Sequence, residues 1–165
     1  VDGPFPPVAI ETALPTDDRP AAVLLRYWRQ KAAARGRIMP SRRDMHPEEL
    51  PIPLTALILV DVLPEHPRYR YRLVGSREVE ARGFDPTGHA VETHFYGASL
   101  AMVLKRYDTV VARRAPLYLE YQTPVRRLAA AVELANLFLP LSNDGETVNI
   151  IMVYSDYATA PDFRG

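Results

Sequence analysis

The sequence predicts an α+β fold: a five-stranded antiparallel sheet with helices across one face and an extra helix N-terminal to it. Three observations predict it. Two strand-like runs, Ala56 to Leu63 and Tyr69 to Val74, precede a helical middle, and three more follow it. Strands that come in runs, instead of alternating singly with helices, pair antiparallel. The helical middle carries the clearest periodicity in the chain: Leu100, Val103, Leu104, Tyr107, Val110 and Val111 fall on one helix face. Last, Ser142-Asn143-Asp144-Gly145-Glu146 is a strong hairpin turn, because Asn, Asp and Gly tolerate positive φ.

The elements follow in order. Val1 to Thr16 is rich in proline and has no clear period, so residues 1–19 are expected to be an extended arm. Asp17 and Asp18 precede Pro20, which suits a helix start. Ala21, Leu24, Leu25, Trp28 and Ala32 recur at helical spacing, so Pro20 to Ala34 is an amphipathic helix ended by Gly36. Trp28 is first of all a core anchor; its sharper reading is a dimer contact, with Leu24 beside it at the interface, or a ligand lid. Pro40, Pro47, Pro51 and Pro53 then exclude a long helix or a central strand, leaving at most one helical turn at Pro47 to Leu50.

Ala56 to Leu63 reads as a buried strand, and Pro64 to Pro67 turns the chain into the next one. In that second strand Tyr69, Tyr71 and Leu73 fall on one face, with Arg70, Arg72 and Val74 on the other. Arg77 to Arg82 is a short helix stopped by Gly83, and Asp85-Pro86-Thr87-Gly88 is a turn. Gly97 or Ser99 starts the long helix, and Pro116 prevents its continuation. Leu117 to Val125, Val132 to Leu141 and Val148 to Ser155 are the closing strands, with Arg126 and Arg127 in or near the first connection. The domain is expected to span residues 20–157, with 158–165 as a tail.

This order and these residues resemble a family of small bacterial PAS-like proteins, formerly a domain of unknown function. The resemblance rests on Tyr27-Trp28, Met39-Pro40-Ser41-Arg42 with Asp44, and Tyr71-Arg72-Leu73-Val74-Gly75-Ser76. It continues through Gly83-Phe84-Asp85-Pro86-Thr87-Gly88 and Leu139-Pro140-Leu141-Ser142-Asn143-Asp144-Gly145. What it implies is a PAS-like sensory or interaction module that holds a small molecule or a partner between the sheet and the helical middle. Some relatives use haem or flavin. Flavin chemistry through a cysteine adduct is excluded, because the chain has no cysteine.

Composition narrows the function classes. Twenty basic residues balance twenty acidic ones, which argues against bulk attraction to nucleic acid or anionic membrane. The absence of cysteine also removes disulfides, thiolate metal sites and a Cys nucleophile. It fits a reducing, cytoplasmic setting. The most apolar run, Leu54 to Leu63, is too short to span a bilayer and contains Asp61. Val1-Asp2-Gly3-Pro4 lacks the order of a secretory signal.

Candidate residues follow from these patterns. His89 and His94 are five apart, which is not the helical i, i+4 pairing of a zinc site; His46 and His66 are isolated, so no metal site is expected. Haem through His94 as axial ligand is the minor cofactor reading. Arg70 and Arg72 alternate with Tyr69 and Tyr71, so charge and stacking rings do not share a face and nucleic-acid binding is not expected. Arg72 either tethers the Gly-Phe-Asp-Pro turn or grips an anionic ligand. Tyr107 on the buried helix stripe and Asn136 within an apolar strand must find hydrogen-bond partners, which makes them pocket candidates. Asp61, Asp108, Glu120 and Glu133 are expected to pair with arginines in preference to acid–base work.

The reading is a non-catalytic sensory module that binds an unidentified small molecule, with Arg72, His94, Tyr107 and Asn136 as ligand candidates. The alternative is an interaction module, a homodimer or a partner-docking domain, with Trp28 and Leu24 at the interface. A small enzyme on a cone-shaped α+β fold is the weakest alternative.

Overall fold

The computed structural model describes residues 9–97, 99–128 and 131–159. The N-terminal eight residues and the end of the expected tail lie outside them. Six strands form one sheet in the order β1-β4-β5-β6-β2-β3, all pairs antiparallel. The strands are β1 (Ala9–Glu11), β2 (Leu57–Val62), β3 (Tyr69–Val74), β4 (Leu117–Leu128), β5 (Ala131–Leu141) and β6 (Ile150–Thr159). The helices are α1 (Pro20–Ala34), α2 (Ser76–Arg82), α3 (Val91–His94) and α4 (Leu100–Arg113). No helix among the described residues is long and apolar enough to cross a membrane.

The expected leading hairpin is β2–β3, and the expected meander is β4–β5–β6. They join where β2 pairs with β6, from Leu57 opposite Tyr154 to Asp61 opposite Ile150. The five-strand expectation is corrected to six. Ala9, Ile10 and Glu11 of the supposed arm pair with Tyr121, Glu120 and Leu119 of β4. Sequence pattern misses so short an edge strand, because one face and a few ladder bonds leave no periodicity. β4 runs three residues beyond the expected Val125, to Leu128, so Arg126 and Arg127 lie in the strand next to the connection, and β6 runs four residues beyond the expected Ser155, to Thr159.

α1 forms over the predicted residues, and Ala21, Leu24, Leu25, Trp28 and Ala32 are all buried. Trp28 donates its indole N–H to the Pro140 carbonyl at 2.9 Å, which fastens α1 to β5. Arg19, at the start of α1, reaches the Tyr118 hydroxyl at 3.3 Å and Glu120 at 3.4 Å. The proline-rich linker makes three single 3-10 turns, at Arg42–Asp44, Pro47–Glu49 and Leu54–Ala56. Ser99 caps α4 by accepting from the Met102 N–H at 3.1 Å.

Helices on one face only is a second expectation that needs correction. Side chains alternate across a strand. Ile58, Phe138 and Val153 meet Val103 and Tyr107 of α4. Their neighbours Leu57, Leu59 and Met152 meet Met45, Leu50 and Leu54 of the linker. The sheet is therefore covered by α2 to α4 on one face and by α1 with the linker on the other. β3 departs from simple alternation too. Leu73 pairs with Leu59 and Tyr71 with Val60, so Arg72 is an extra residue in the ladder. That insertion turns Val74 inward with Tyr69 and Tyr71, and leaves Leu73 43% exposed.

Two glycines contrast steric and conformational demands. Gly83 ends α2 at φ 82, and a Cβ there would touch nothing. Gly75 has an ordinary φ of −61, but a Cβ there would overlap the Thr55 carbonyl. Gly83→Ala is expected to cost about 1–2 kcal/mol through left-handed strain alone. Gly75→Ala is expected to cost more, about 3 kcal/mol, because backbone must move. Urea denaturation of both variants checks the ranking; a milder Gly75→Ala would contradict the close approach.

The β5–β6 turn gives a pH prediction. The Thr147 and Glu146 N–H groups and the Ser142 hydroxyl hold the Asp144 carboxyl at about 2, below its ordinary 3.8. A depressed folded-state pKa stabilises above the unfolded value and loses that effect as pH falls through the folded one. The melting-temperature gap between wild type and Asp144→Asn is thus expected to be constant from neutrality to about pH 4. It should then shrink toward pH 2, and a gap independent of pH throughout would contradict the turn geometry.

Candidate functional site

Under α2 and α4 the sheet leaves a small cavity of about 40 Å³. Its floor is β-sheet: Ile58, Asn136, Phe138, Val153 and Ser155. Its roof is Glu78 and Arg82 from α2, Tyr96 from the loop between α3 and α4, and Val103, Arg106 and Tyr107 from α4. Glu78 and Arg82 are one helical turn apart, so both point inward from one face of a seven-residue helix.

The charged groups here are deeply buried. Glu78 and Glu133 are fully buried, and the Arg82 side chain is 5% exposed. A buried charge is tolerated only when paired or hydrogen-bonded. Glu78 accepts from the Tyr157 hydroxyl at 2.7 Å and lies 4.0 Å from Arg82 Nε. The Arg82 guanidinium also sits over two rings, 5.1 Å from the centroid of Tyr71 and 5.5 Å from that of Tyr96. Glu133 accepts from Asn136 Nδ2 at 2.7 Å, and the same nitrogen donates to Ser155 Oγ at 2.9 Å. Arg82 Nε and Nη1 are buried without a hydrogen-bond acceptor among the described residues.

Tyr107 contributes its ring and hydroxyl to the wall. It packs against Tyr69 at 5.1 Å and Phe138 at 6.0 Å between ring centroids. Burial pushes its phenol well above the usual range, so it stays protonated. Tyr69 in turn donates its hydroxyl to Asp108 of α4, which ties that helix to β3.

Of the four ligand candidates, the cavity unites Tyr107 and Asn136. Arg72 lies elsewhere. It is about half exposed and pairs with Asp61 at 3.2 Å, beside Arg70 at 3.1 Å. It tethers neither the Gly-Phe-Asp-Pro turn nor a group in this cavity, because the inserted ladder position turns it away. The turn is held by backbone instead: Gly88 N–H donates to Tyr71 O at 2.7 Å, and Tyr71 N–H to His89 O at 3.0 Å. His94 also lies outside the cavity wall. Its Nδ1 shares a hydrogen bond of 2.8 Å with the Thr93 hydroxyl, and its ring stacks on His89 at 4.0 Å. A haem held by His94 does not fit this arrangement, and about 40 Å³ does not hold a porphyrin or an isoalloxazine. Among the described residues no three His, Asp or Glu side chains converge as metal ligands. Leu24 and Trp28 are buried within this chain, at 0% and 5% exposure, and present no surface for an interface.

The four carboxylates do not meet. Asp61 and Glu120 pair with arginines as expected; Asp108 takes a hydrogen bond from Tyr69, and Glu133 takes one from Asn136. Glu78, Arg82, Tyr96, Ser155 and Tyr157 are site residues that the sequence pattern did not single out. The i, i+4 spacing of Glu78 and Arg82 is a usable signal, but on a short helix it reads equally as a solvated ion pair.

A family model described as a PAS domain matches residues 16–154. The chain belongs to the PAS domain family. No curated protein and no solved structure gives a significant match. In this PAS domain the match begins just before α1 and ends within β6, so it includes every lining residue of the cavity except Ser155, which follows its last residue. PAS domains are sensory or interaction modules, and the family places this chain in that class.

The hydroxyl of Tyr157 is the donor that reaches buried Glu78 from β6. Tyr157→Phe is expected to cost about 1.5–3 kcal/mol, the range for a hydrogen bond to a charged group. Chemical denaturation measures it; a loss under about 0.5 kcal/mol would mean that Glu78 does not depend on this contact.

Proposed function

We propose that this PAS domain is a non-catalytic sensory module whose sheet–helix cavity takes a short carboxylate. The observation that carries the reading is Arg82: a nearly buried guanidinium with two N–H groups lacking acceptors, at the wall of a polar cavity. A carboxylate is the charge-complementary acceptor for such a guanidinium. Asn136, Ser155 and Tyr107 supply further polar atoms around the same space.

Size sets the ligand class. At about 10–15 Å³ of accessible volume per water, the cavity has room for roughly three water-sized groups. That suits formate or acetate and excludes larger metabolites without movement of α2. Among the described lining residues no nucleophile stands beside a base, and burial keeps the Tyr107 phenol protonated, which favours sensing over catalysis.

Calorimetric titration with acetate and with neutral acetamide tests the reading. Acetate is expected to bind saturably and acetamide at least tenfold more weakly. Arg82→Lys keeps the charge but loses the fork, and is expected to weaken acetate by about tenfold or more. Equal binding of the two probes, or no heat with acetate at millimolar concentration, would reject the assignment.

A further inference from the structure

The opposite face of the sheet carries a larger hollow of about 210 Å³. The linker turns arch over Leu57, Leu59, Leu73 and Met152 and do not fill the space beneath them. Met45, Leu50 and Leu54 complete an apolar wall that contains no acidic residue. Leu54 and Leu73 are 49% and 43% exposed, so two large apolar side chains meet solvent here. Such exposure beside a ready-made groove marks a binding surface more often than an accident of packing.

One charged side chain borders the groove, Arg42. Its Nη1 donates to the Met45 carbonyl at 3.2 Å. Among the described residues no carboxylate lies within ion-pairing distance of it. Its nearest acidic neighbour in sequence, Asp44, is instead engaged by the Ser41 N–H and hydroxyl, both at 2.9 Å, and by Arg35 at 3.7 Å. A half-buried cation with spare donors next to an apolar groove is complementary to an amphipathic anion.

We propose that this groove binds a medium-chain fatty acid, with the acyl chain against Leu57, Leu59 and Met152 and the carboxylate on Arg42. Volume supports the occupant. At the same 10–15 Å³ of accessible volume for each water-sized group, 210 Å³ takes roughly fourteen or more, which is room for an eight-carbon chain with its carboxylate. A partner helix, about 10 Å across, would exceed 210 Å³ within a single turn. A neutral alkane would leave the Arg42 donors unused, and a cationic amphiphile would be repelled. Two of the apolar contacts are methionines, Met45 and Met152, whose unbranched side chains adapt to a flexible chain. The site lies on the far side of the sheet from the Arg82 cavity and does not depend on it.

The four methionines make the test direct. With the Met methyl groups labelled with carbon-13, octanoate is titrated below its micellar range and followed by NMR. Saturable shifts are expected at Met45 and Met152, which line the groove, and not at Met39 or Met102, which do not. Arg42→Gln should weaken octanoate about tenfold and leave the weaker binding of octanol unchanged. Leu73→Asp, at an exposed position, should weaken octanoate through repulsion at the mouth while the fold is retained. Absence of saturable shifts at both wall methionines would overturn the proposal. So would octanoate binding that ignores Arg42→Gln. Shifts that grow with protein concentration alone and vanish in Leu73→Asp would assign the groove to a second copy of the chain and overturn it equally.

Discussion

β6 is the strand on which the rest of the domain depends. Its backbone donors and acceptors must be satisfied on both edges, because a buried unpaired group costs as much as a lost hydrogen bond. β5 satisfies one edge over Ala131 to Leu141, and β2 the other over Leu57 to Asp61. This seam joins the two halves of the chain, which are separated in sequence by every residue of the helical middle. From Ile150 to Ser155 each residue of β6 is buried. A central strand buried on both faces demands cover on both faces, and that demand places α1 on one side and α4 on the other.

The two coverings leave different kinds of space. α2 and α4 bring charged and phenolic groups against Asn136 and Ser155, and the residual cavity is small and polar. The linker brings mostly leucine, methionine and proline against the reverse face, and the residual groove is larger and apolar. The difference follows from the covering segments. A regular helix packs ridge into groove and closes down on the sheet. Three 3-10 turns broken by prolines cannot present a continuous ridge, so they bridge the sheet without filling it.

Buried charge on one face is a cost that packing does not remove. Replacing a buried ion pair with apolar residues is often neutral or stabilising, so the Glu78–Arg82 pair is poorly explained by stability. The surrounding Tyr71 and Tyr96 rings and the Tyr157 hydroxyl hold these charges in fixed geometry. A pre-organised guanidinium loses little freedom when it meets a ligand, which is what a recognition site requires.

By itself the sequence determined most of the local structure. The α1 stripe from Ala21 to Ala32, the Ser99 cap, the α2 stop at Gly83 and the Ser142–Glu146 turn are legible because each is set by neighbours a few residues away. Tyr107 and Asn136 were legible as pocket residues because a polar group on an apolar face must be accounted for. Only the tertiary structure decided the rest. The edge strand at Ala9–Glu11 exists because β4 is there to pair with it. The inserted Arg72 reverses the inward face of β3, which no alternation pattern contains. The burial of Glu78 and Arg82, and the passage of Thr55 against Gly75, are set by segments that approach from elsewhere in the chain. Local pattern reports on dihedrals and period; which charge is inside, and which cavity remains, is fixed only when distant surfaces close on each other.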